Sequence, residues 1–217
     1  GLGTSANVTI GADLKMPTLA ALGKYNINEN ISVFGGLKRT TVNDGAYAKV
    51  ARDLDGNGTL DETSTWTLSE TSEMGMVYGA AYEMPEIALR VSLTIEDDID
   101  LEIATVGTGV IPAATGTSNA SIGDAMTLHF QSGIAEDTLL FGSIRRSNWE
   151  DNQVSVPLSA IAQAASGGAT HAELSTFEDG TSYSLGIGRK INDELSLSIS
   201  AFYDGGDGTD TSELAPT

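Results

Sequence analysis

Hydrophobic and polar residues alternate with a period of two along several stretches of this chain. Between positions 87 and 96 one phase holds Ile87, Leu89, Val91, Leu93 and Ile95, and the other holds Ala88, Arg90, Ser92, Thr94 and Glu96. Similar alternation recurs in the stretches 31–38, 126–131, 182–188 and 195–203. A pleated strand places alternate residues on opposite faces, which a helix does not do. The pattern therefore predicts an all-β protein.

The alternating stretches predict about eight strands, at 18–27, 31–42, 74–83, 87–96, 125–134, 138–149, 181–191 and 194–204. Short polar turns at Asn28–Asn30, Pro85–Glu86, Ala135–Asp137 and Asn192–Asp193 each join two of them. The segments 42–73, 97–124 and 151–180 are expected to be long outer loops, and residues 204–217 an acidic tail. We expect residues 1–217 to form a single β-barrel domain or a fragment of one.

Short turns at one end, long loops at the other and strands of about ten residues are typical of outer-membrane barrels. The fold class expected is therefore an antiparallel up-and-down transmembrane β-barrel. A soluble antiparallel sandwich is the alternative, because its strands also alternate and its turns are also rich in glycine. The asymmetry of the connections favours the barrel.

Charge and composition exclude several classes of function. The chain has 11 Lys and Arg against 30 Asp and Glu, a net charge of −19, so a phosphate backbone would repel it and no nucleic-acid partner is expected. It has no cysteine and only two histidines. No nucleophile, base and orienting group converge in the sequence, so we do not expect an enzyme. The chain begins at Gly1 without a targeting segment, which is expected of a processed or truncated product.

Four segments resemble the long-chain fatty-acid outer-membrane transporter (FadL-like) family. They are Ile31–Leu37, Tyr78–Val91, Phe130–Arg145 with its continuation to Trp149, and Tyr183–Asp193. They occur in the family's order and spacing, and the third is the most specific.

This resemblance implies passive uptake of long-chain fatty acids or other hydrophobic small molecules across a bacterial outer membrane. Outer-membrane lipid and lipopolysaccharide are the implied surroundings, and no cofactor is required. Family barrels have about fourteen strands and an amino-terminal hatch. About eight strands and no hatch are expected here, so the resemblance is to part of such a chain.

Two arginines are candidate ligand-binding residues. Arg90 lies in the polar phase of its strand, and Arg145 shares a phase with Ser143 and Ser147. In a barrel both would face the lumen, where a guanidinium can pair with a fatty-acid carboxylate. The alternative is a structural ion pair with a carboxylate such as Glu83 or Glu96.

An acidic segment is a candidate calcium loop. Carboxylate and amide oxygens alternate around Gly58, which predicts Ca²⁺ ligands at Asp53, Asp55, Asn57, the Thr59 carbonyl and Asp61. Position twelve of the loop is Ser64 where an EF-hand has glutamate. The alternative is a solvated acidic loop, which is also the interpretation of the segment 97–102.

Two other functions stay open on the sequence alone. Eight strands could close into a small structural or adhesive outer-membrane barrel without transport. Alternatively, the chain could be a secreted calcium-binding β protein.

Overall fold

Antiparallel strands make up most of the computed structural model, which describes residues 8–52, 62–109, 114–148, 150, 153–175 and 177–205. The strands are β1 (Val8–Asp13), β2 (Thr18–Asn26), β3 (Ile31–Val42), β4 (Ala46–Arg52), β5 (Glu62–Leu68), β6 (Thr71–Met84), β7 (Leu89–Glu96), β8 (Ile99–Gly109), β9 (Gly116–Ile122), β10 (Ala125–Ala135), β11 (Thr138–Ser147), β12 (Val154–Pro157), β13 (His171–Glu173), β14 (Gly180–Lys190) and β15 (Ser196–Asp204). A 3₁₀ turn at Pro85–Ile87 and the helix α1 (Ala160–Ala165) complete these elements.

Eight of the strands form one sheet in the order β15-β14-β11-β10-β7-β6-β3-β2. They coincide with the eight strands predicted from alternation, and every neighbouring pair is antiparallel. The prediction of an all-β antiparallel fold is confirmed. Within the described residues β2 and β15 are the two edges of this sheet and do not pair with each other, so a closed eight-stranded barrel is not observed.

The segments expected to be long loops differ from that expectation. Residues 42–73, 97–124 and 151–180 contain β4, β5, β8, β9, β12 and β13, which join β1 in a second sheet of order β1-β4-β5-β8-β9-β12-β13. Each long connection therefore runs from the first sheet into the second and returns. The loops form strands because they pair with one another, a non-local effect that a single segment does not reveal.

The four short turns lie at one end of the first sheet. At the first turn, Asn28 Oδ1 accepts hydrogen bonds from the backbone N–H groups of Asn30 and Ile31 at 2.9 and 2.7 Å. At the last, Asn192 Oδ1 accepts from Glu194 and Leu195 at 2.9 and 2.8 Å. An asparagine side chain that bonds backbone two and three residues on imposes a tight turn, and the predicted turns are confirmed.

The strands of the first sheet are staggered. One row of directly paired residues contains Asn26, Ser32, Ala81, Ser92, His129, Ser143, Ser184 and Phe202. The chain turns immediately after Asn26 on β2, whereas β14 continues from Ser184 to Lys190 before it turns. The stagger is about one residue per strand, which corresponds to a tilt of roughly 35–40° and is the range found in barrel walls.

The two faces of the first sheet have inverted polarity relative to a soluble protein. The outer face exposes large apolar side chains on every strand, among them Tyr25, Val33, Leu37, Met76, Tyr78, Leu93, Leu128, Ile144, Tyr183, Leu185, Ile199 and Tyr203. The inner face buries polar ones: Ser32, Lys38, Thr40, Ser92, Thr127 and Ser147. This arrangement suits a wall with hydrocarbon outside and a polar interior.

The second sheet has the opposite arrangement, with an apolar interior. One buried cluster contains Val42, Ala46, Leu68, Ile99, Leu101, Ile103 and Ala120, and another contains Ala48, Val50, Trp66, Val156 and Leu174. Trp66 on β5 donates its Nε1–H to the Pro157 carbonyl on β12 at 3.1 Å, although β8 and β9 separate these strands in the sheet. The sheet therefore curls around its own core.

The two sheets meet on the inner face. A Cβ built on Gly75 of β6 would lie 2.8 Å from Cγ1 of Ile99 and 3.2 Å from Cε of Lys38. The missing side chain at position 75 thus lets the first residue of β8 pack across the wall. The apolar core of the second sheet consequently lies directly beside the polar inner face.

Candidate ligand-binding face

Within the residues that the structure describes, the ion pairs on the inner face form two clusters, and each contains one glutamate and two basic side chains. In the first, Glu83 Oε1 lies 3.2 Å from Lys24 Nζ and 3.7 Å from Arg90 Nε. Glu83 and Arg90 are directly opposite each other on β6 and β7, and all three side chains are partly exposed. Exposed ion pairs of this kind stabilise the fold only weakly. Because the side chains are partly exposed, the basic groups remain accessible.

The second cluster, here called the Glu96 cluster, lies closer to the second sheet. Glu96 Oε1 accepts a hydrogen bond from Arg145 Nη1 at 2.7 Å, and Glu96 Oε2 lies 3.5 Å from Lys38 Nζ. Arg145 Nη1 also donates to Thr127 Oγ1 at 2.9 Å. The Lys38 side chain is 8% exposed and that of Arg145 is 41% exposed. The lysine is therefore the buried member of the cluster, and the arginine is the member that solvent can reach.

The inward position expected for Arg90 and Arg145 is therefore observed, and both form the ion pairs expected as the alternative, Arg90 with Glu83 and Arg145 with Glu96. Neither contact tests a role in ligand binding, which stays a prediction. Lys38 was missed as a candidate, although it shares the polar phase of Ser32 on β3. Its approach to Glu96 depends on the strand order, because β6 lies between β3 and β7.

A groove of about 510 Å³ crosses the inner face over β7, β10, β11 and β14. Its lining combines apolar and polar groups: Arg90, Ser92, His129, Gln131, Leu139, Phe141, Ser143 and Ser184, with Phe130 and Gly142 at its wall. The hydroxyls of Ser143 and Ser184 bond each other at 2.7 Å. His129 lines this groove on the inner face. The groove can hold a small molecule that has an apolar part and a polar part.

The calcium prediction lies outside the described residues, because Asp53, Asp55, Asn57, Thr59 and Asp61 all fall in 53–61. In the part of the chain that the structure describes, no group of three or more His, Asp or Glu side chains could hold a metal ion. The segment 97–102 is not the expected solvated loop, since Ile99 and Leu101 are buried on β8, whereas Asp98, Asp100 and Glu102 are exposed.

Among the described elements, no helix combines the length and the apolar character needed to cross a membrane. No family model matches the chain, and neither does any curated protein. Solved structures do. The CymD monoaromatic hydrocarbon channel matches with a TM-score of 0.57 and 15% sequence identity, over 93% of this chain and 64% of that one.

Two further structures are similar. The Ralstonia pickettii toluene transporter TbuX has a TM-score of 0.54 and 10% identity, over 92% of this chain and 64% of its own. The TodX deltaS2S3 mutant monoaromatic hydrocarbon channel has a TM-score of 0.54 and 14% identity, over 88% and 55%. The chain has the fold of part of these β-barrel channels. It spans 55 to 64% of their length, and the barrel fold implied by the sequence resemblance is confirmed.

Proposed function

We propose that this chain forms the wall of an outer-membrane channel for the passive uptake of hydrophobic small molecules. The observation that carries the proposal is the inverted eight-stranded sheet, whose apolar face points outward and whose polar face holds a groove. Pairing between strands satisfies the backbone groups within the sheet, which allows a wall of this kind to lie in hydrocarbon. The likeness to hydrocarbon and toluene channels supports the same function.

The outer face of the sheet supports the surroundings that we propose. One directly paired row runs through Tyr25, Val33, Ala80, Leu93, Leu128, Ile144, Tyr183 and Tyr203 without a charged residue. Such an uncharged and mostly apolar row can lie against the acyl chains in the outer membrane of a Gram-negative bacterium. The exposed Arg146, whose nearest ion-pair partner is Asp179 at 3.7 Å, lies at the edge of this apolar face and suits the phosphates of lipid or lipopolysaccharide.

The lining of the groove supports the ligand class that we propose. Phe141 and Leu139 contribute apolar surface, while Arg90, His129 and Gln131 contribute groups that can bond a polar end. Long-chain fatty acids, which the sequence resemblance implies, combine both parts. Transport in this scheme consists of capture, movement along the inner face and release, without a chemical step.

The test is uptake into vesicles. The purified full chain is reconstituted into liposomes that enclose a fluorescent fatty-acid reporter, and the entry rate of oleate is compared with that in protein-free liposomes. We expect faster entry with the protein. Ser184→Phe, which fills the groove, should slow it, whereas Ser198→Phe on the edge strand β15 should not. Equal rates with and without protein would contradict the proposed function.

A further inference from the structure

We propose that the outer face of the first sheet carries a binding site for one molecule of lipid A, the membrane-embedded part of lipopolysaccharide. In this site an acyl chain lies in a groove on β11, β14 and β15, and a phosphate lies at Arg146. The inference rests on the proposed function and deepens it, because it assigns a lipid partner to a defined place on the wall. The site is separate from the groove on the inner face.

The outer groove has a volume of about 360 Å³. Side chains of the outer face line it, among them Ile144, Tyr183, Leu185, Ala201 and Tyr203. Ala201 is directly paired with Leu185, and its short side chain leaves space beside the larger Tyr203 side chain two positions further along β15. A concave and mostly apolar surface of this kind suits a hydrocarbon chain.

Arg146 supplies a positive charge beside this groove. It lies two residues beyond Ile144 on β11, about 7 Å further along the strand, and therefore shares the outer face. Its side chain is 68% exposed, and its Nη2 lies 3.7 Å from Oδ2 of Asp179, which is longer than a hydrogen bond. The guanidinium can therefore form charge-assisted bonds to a phosphate without breaking a buried ion pair.

The level of the site in the wall identifies the leaflet. Arg146 lies eight positions beyond Thr138, where β11 begins after a short turn. Short turns of outer-membrane barrels face the periplasm and long connections face the exterior, so Arg146 lies at the external end of the wall. Tyr183 and Tyr203, with ring centroids 6.3 Å apart, also line the groove, and aromatic side chains form the girdles at membrane interfaces. The external leaflet holds lipopolysaccharide, whose phosphates meet Arg146 while an acyl chain follows the groove toward the bilayer centre.

The test is native mass spectrometry of the purified full chain in non-ionic detergent, with diphosphoryl lipid A as the probe. We expect one lipid A molecule per chain. Arg146→Gln should weaken its binding about tenfold, because a charge-assisted bond is lost. Arg39→Gln is the matched control, since Arg39 is exposed and lies eight positions beyond Ile31, where β3 begins after a short turn. Ala201→Phe fills the groove and should weaken binding severalfold, whereas Ala21→Phe on the opposite edge strand β2 should not.

Lipid A without its phosphates and phosphatidylglycerol, which carries a smaller negative charge, should both bind more weakly than diphosphoryl lipid A. Equal effects of Arg146→Gln and Arg39→Gln, or phosphatidylglycerol binding as tightly as lipid A, would overturn the lipid A site. Oleate entry into phosphatidylcholine liposomes, which contain no lipid A, separates this site from the proposed function. If the chain accelerates oleate entry but does not bind lipid A, only the lipid A site is wrong. If it binds lipid A but does not accelerate oleate entry, only the channel function is wrong.

Discussion

Phe141 on β11 lies over Gly186, its directly paired neighbour on β14. A Cβ built on Gly186 would be 2.6 Å from both Cε2 and Cζ of the ring, so the ring occupies the space that any side chain at 186 would need. Phe34 over Gly79 and Phe130 over Gly142 repeat the arrangement in other strand pairs. A cross-strand aromatic ring covers the exposed backbone of the glycine and compensates for its missing side chain. Phe141 also lines the groove, so this pair sets the groove's shape.

Gly186→Ala should therefore destabilise the sheet by about 1–3 kcal/mol, the usual range for overpacking. The added methyl group displaces the Phe141 ring into the groove. Gly188→Ala is the matched control, because a Cβ there meets only ordinary contacts of 3.7 to 3.8 Å. Urea unfolding in liposomes, followed by tryptophan fluorescence, measures both variants. Equal stability of the two would show that Phe141 does not depend on Gly186.

The inverted faces predict opposite responses at adjacent positions of β10. Leu128 lies on the outer face and His129 lines the groove on the inner face. Leu128→Arg should cost about 2–4 kcal/mol if the outer row lies near the bilayer centre, whereas His129→Arg should cost under about 1 kcal/mol. The free energy of unfolding in liposomes distinguishes them. A larger loss at 129 than at 128 would mean that the sheet does not present its apolar face to lipid.

The alternation predicted the eight-stranded sheet because the residues of its outer and inner faces differ strongly in polarity. The second sheet was missed for a physical reason. On β5 and β9 its buried positions include Ser64 and Ser118, small hydroxyl residues that look like loop residues in a sequence. On β8 the period was visible in Ile99, Leu101 and Ile103, but the acidic residues between them indicated a solvated loop.

The candidate site was predictable only in part. The phase of each strand placed Arg90 and Arg145 on the inner face, and Glu83 and Glu96 were named as their alternative carboxylate partners. Which residues meet there depends on the order of strands in the sheet, which brings Lys38 to Glu96 across β6. No periodicity within one segment encodes that contact. The groove also depends on the order of strands in the sheet, because four strands contribute to its lining.

The contact between the two sheets predicts a strong effect at Gly75. Gly75→Ala would place a methyl group 2.8 Å from Ile99 Cγ1, at the point where the apolar core meets the wall. Destabilisation of about 1–3 kcal/mol is expected from overpacking. Gly35→Ala is the control, since its Cβ would meet Tyr78 Cβ at an ordinary 3.6 Å. Hydrogen exchange should show faster exchange at Ile99 and Leu101 in Gly75→Ala, and unchanged exchange there would contradict the assigned contact.

The segment that links β4 to β5 predicts weak calcium binding. Asp53, Asp55, Asn57, the Thr59 carbonyl and Asp61 provide hard oxygen ligands around Gly58 in a chain of net charge −19. With Ser64 in place of a bidentate glutamate, the dissociation constant should be about 10⁻⁴–10⁻³ M. Calorimetric titration of the purified chain with CaCl₂ should reveal one site that Asp55→Ala removes. Asp44→Ala, an acidic residue outside the segment, is the control and should leave the site intact. An unchanged titration in Asp55→Ala would instead indicate a solvated loop whose carboxylates attract cations without coordinating one.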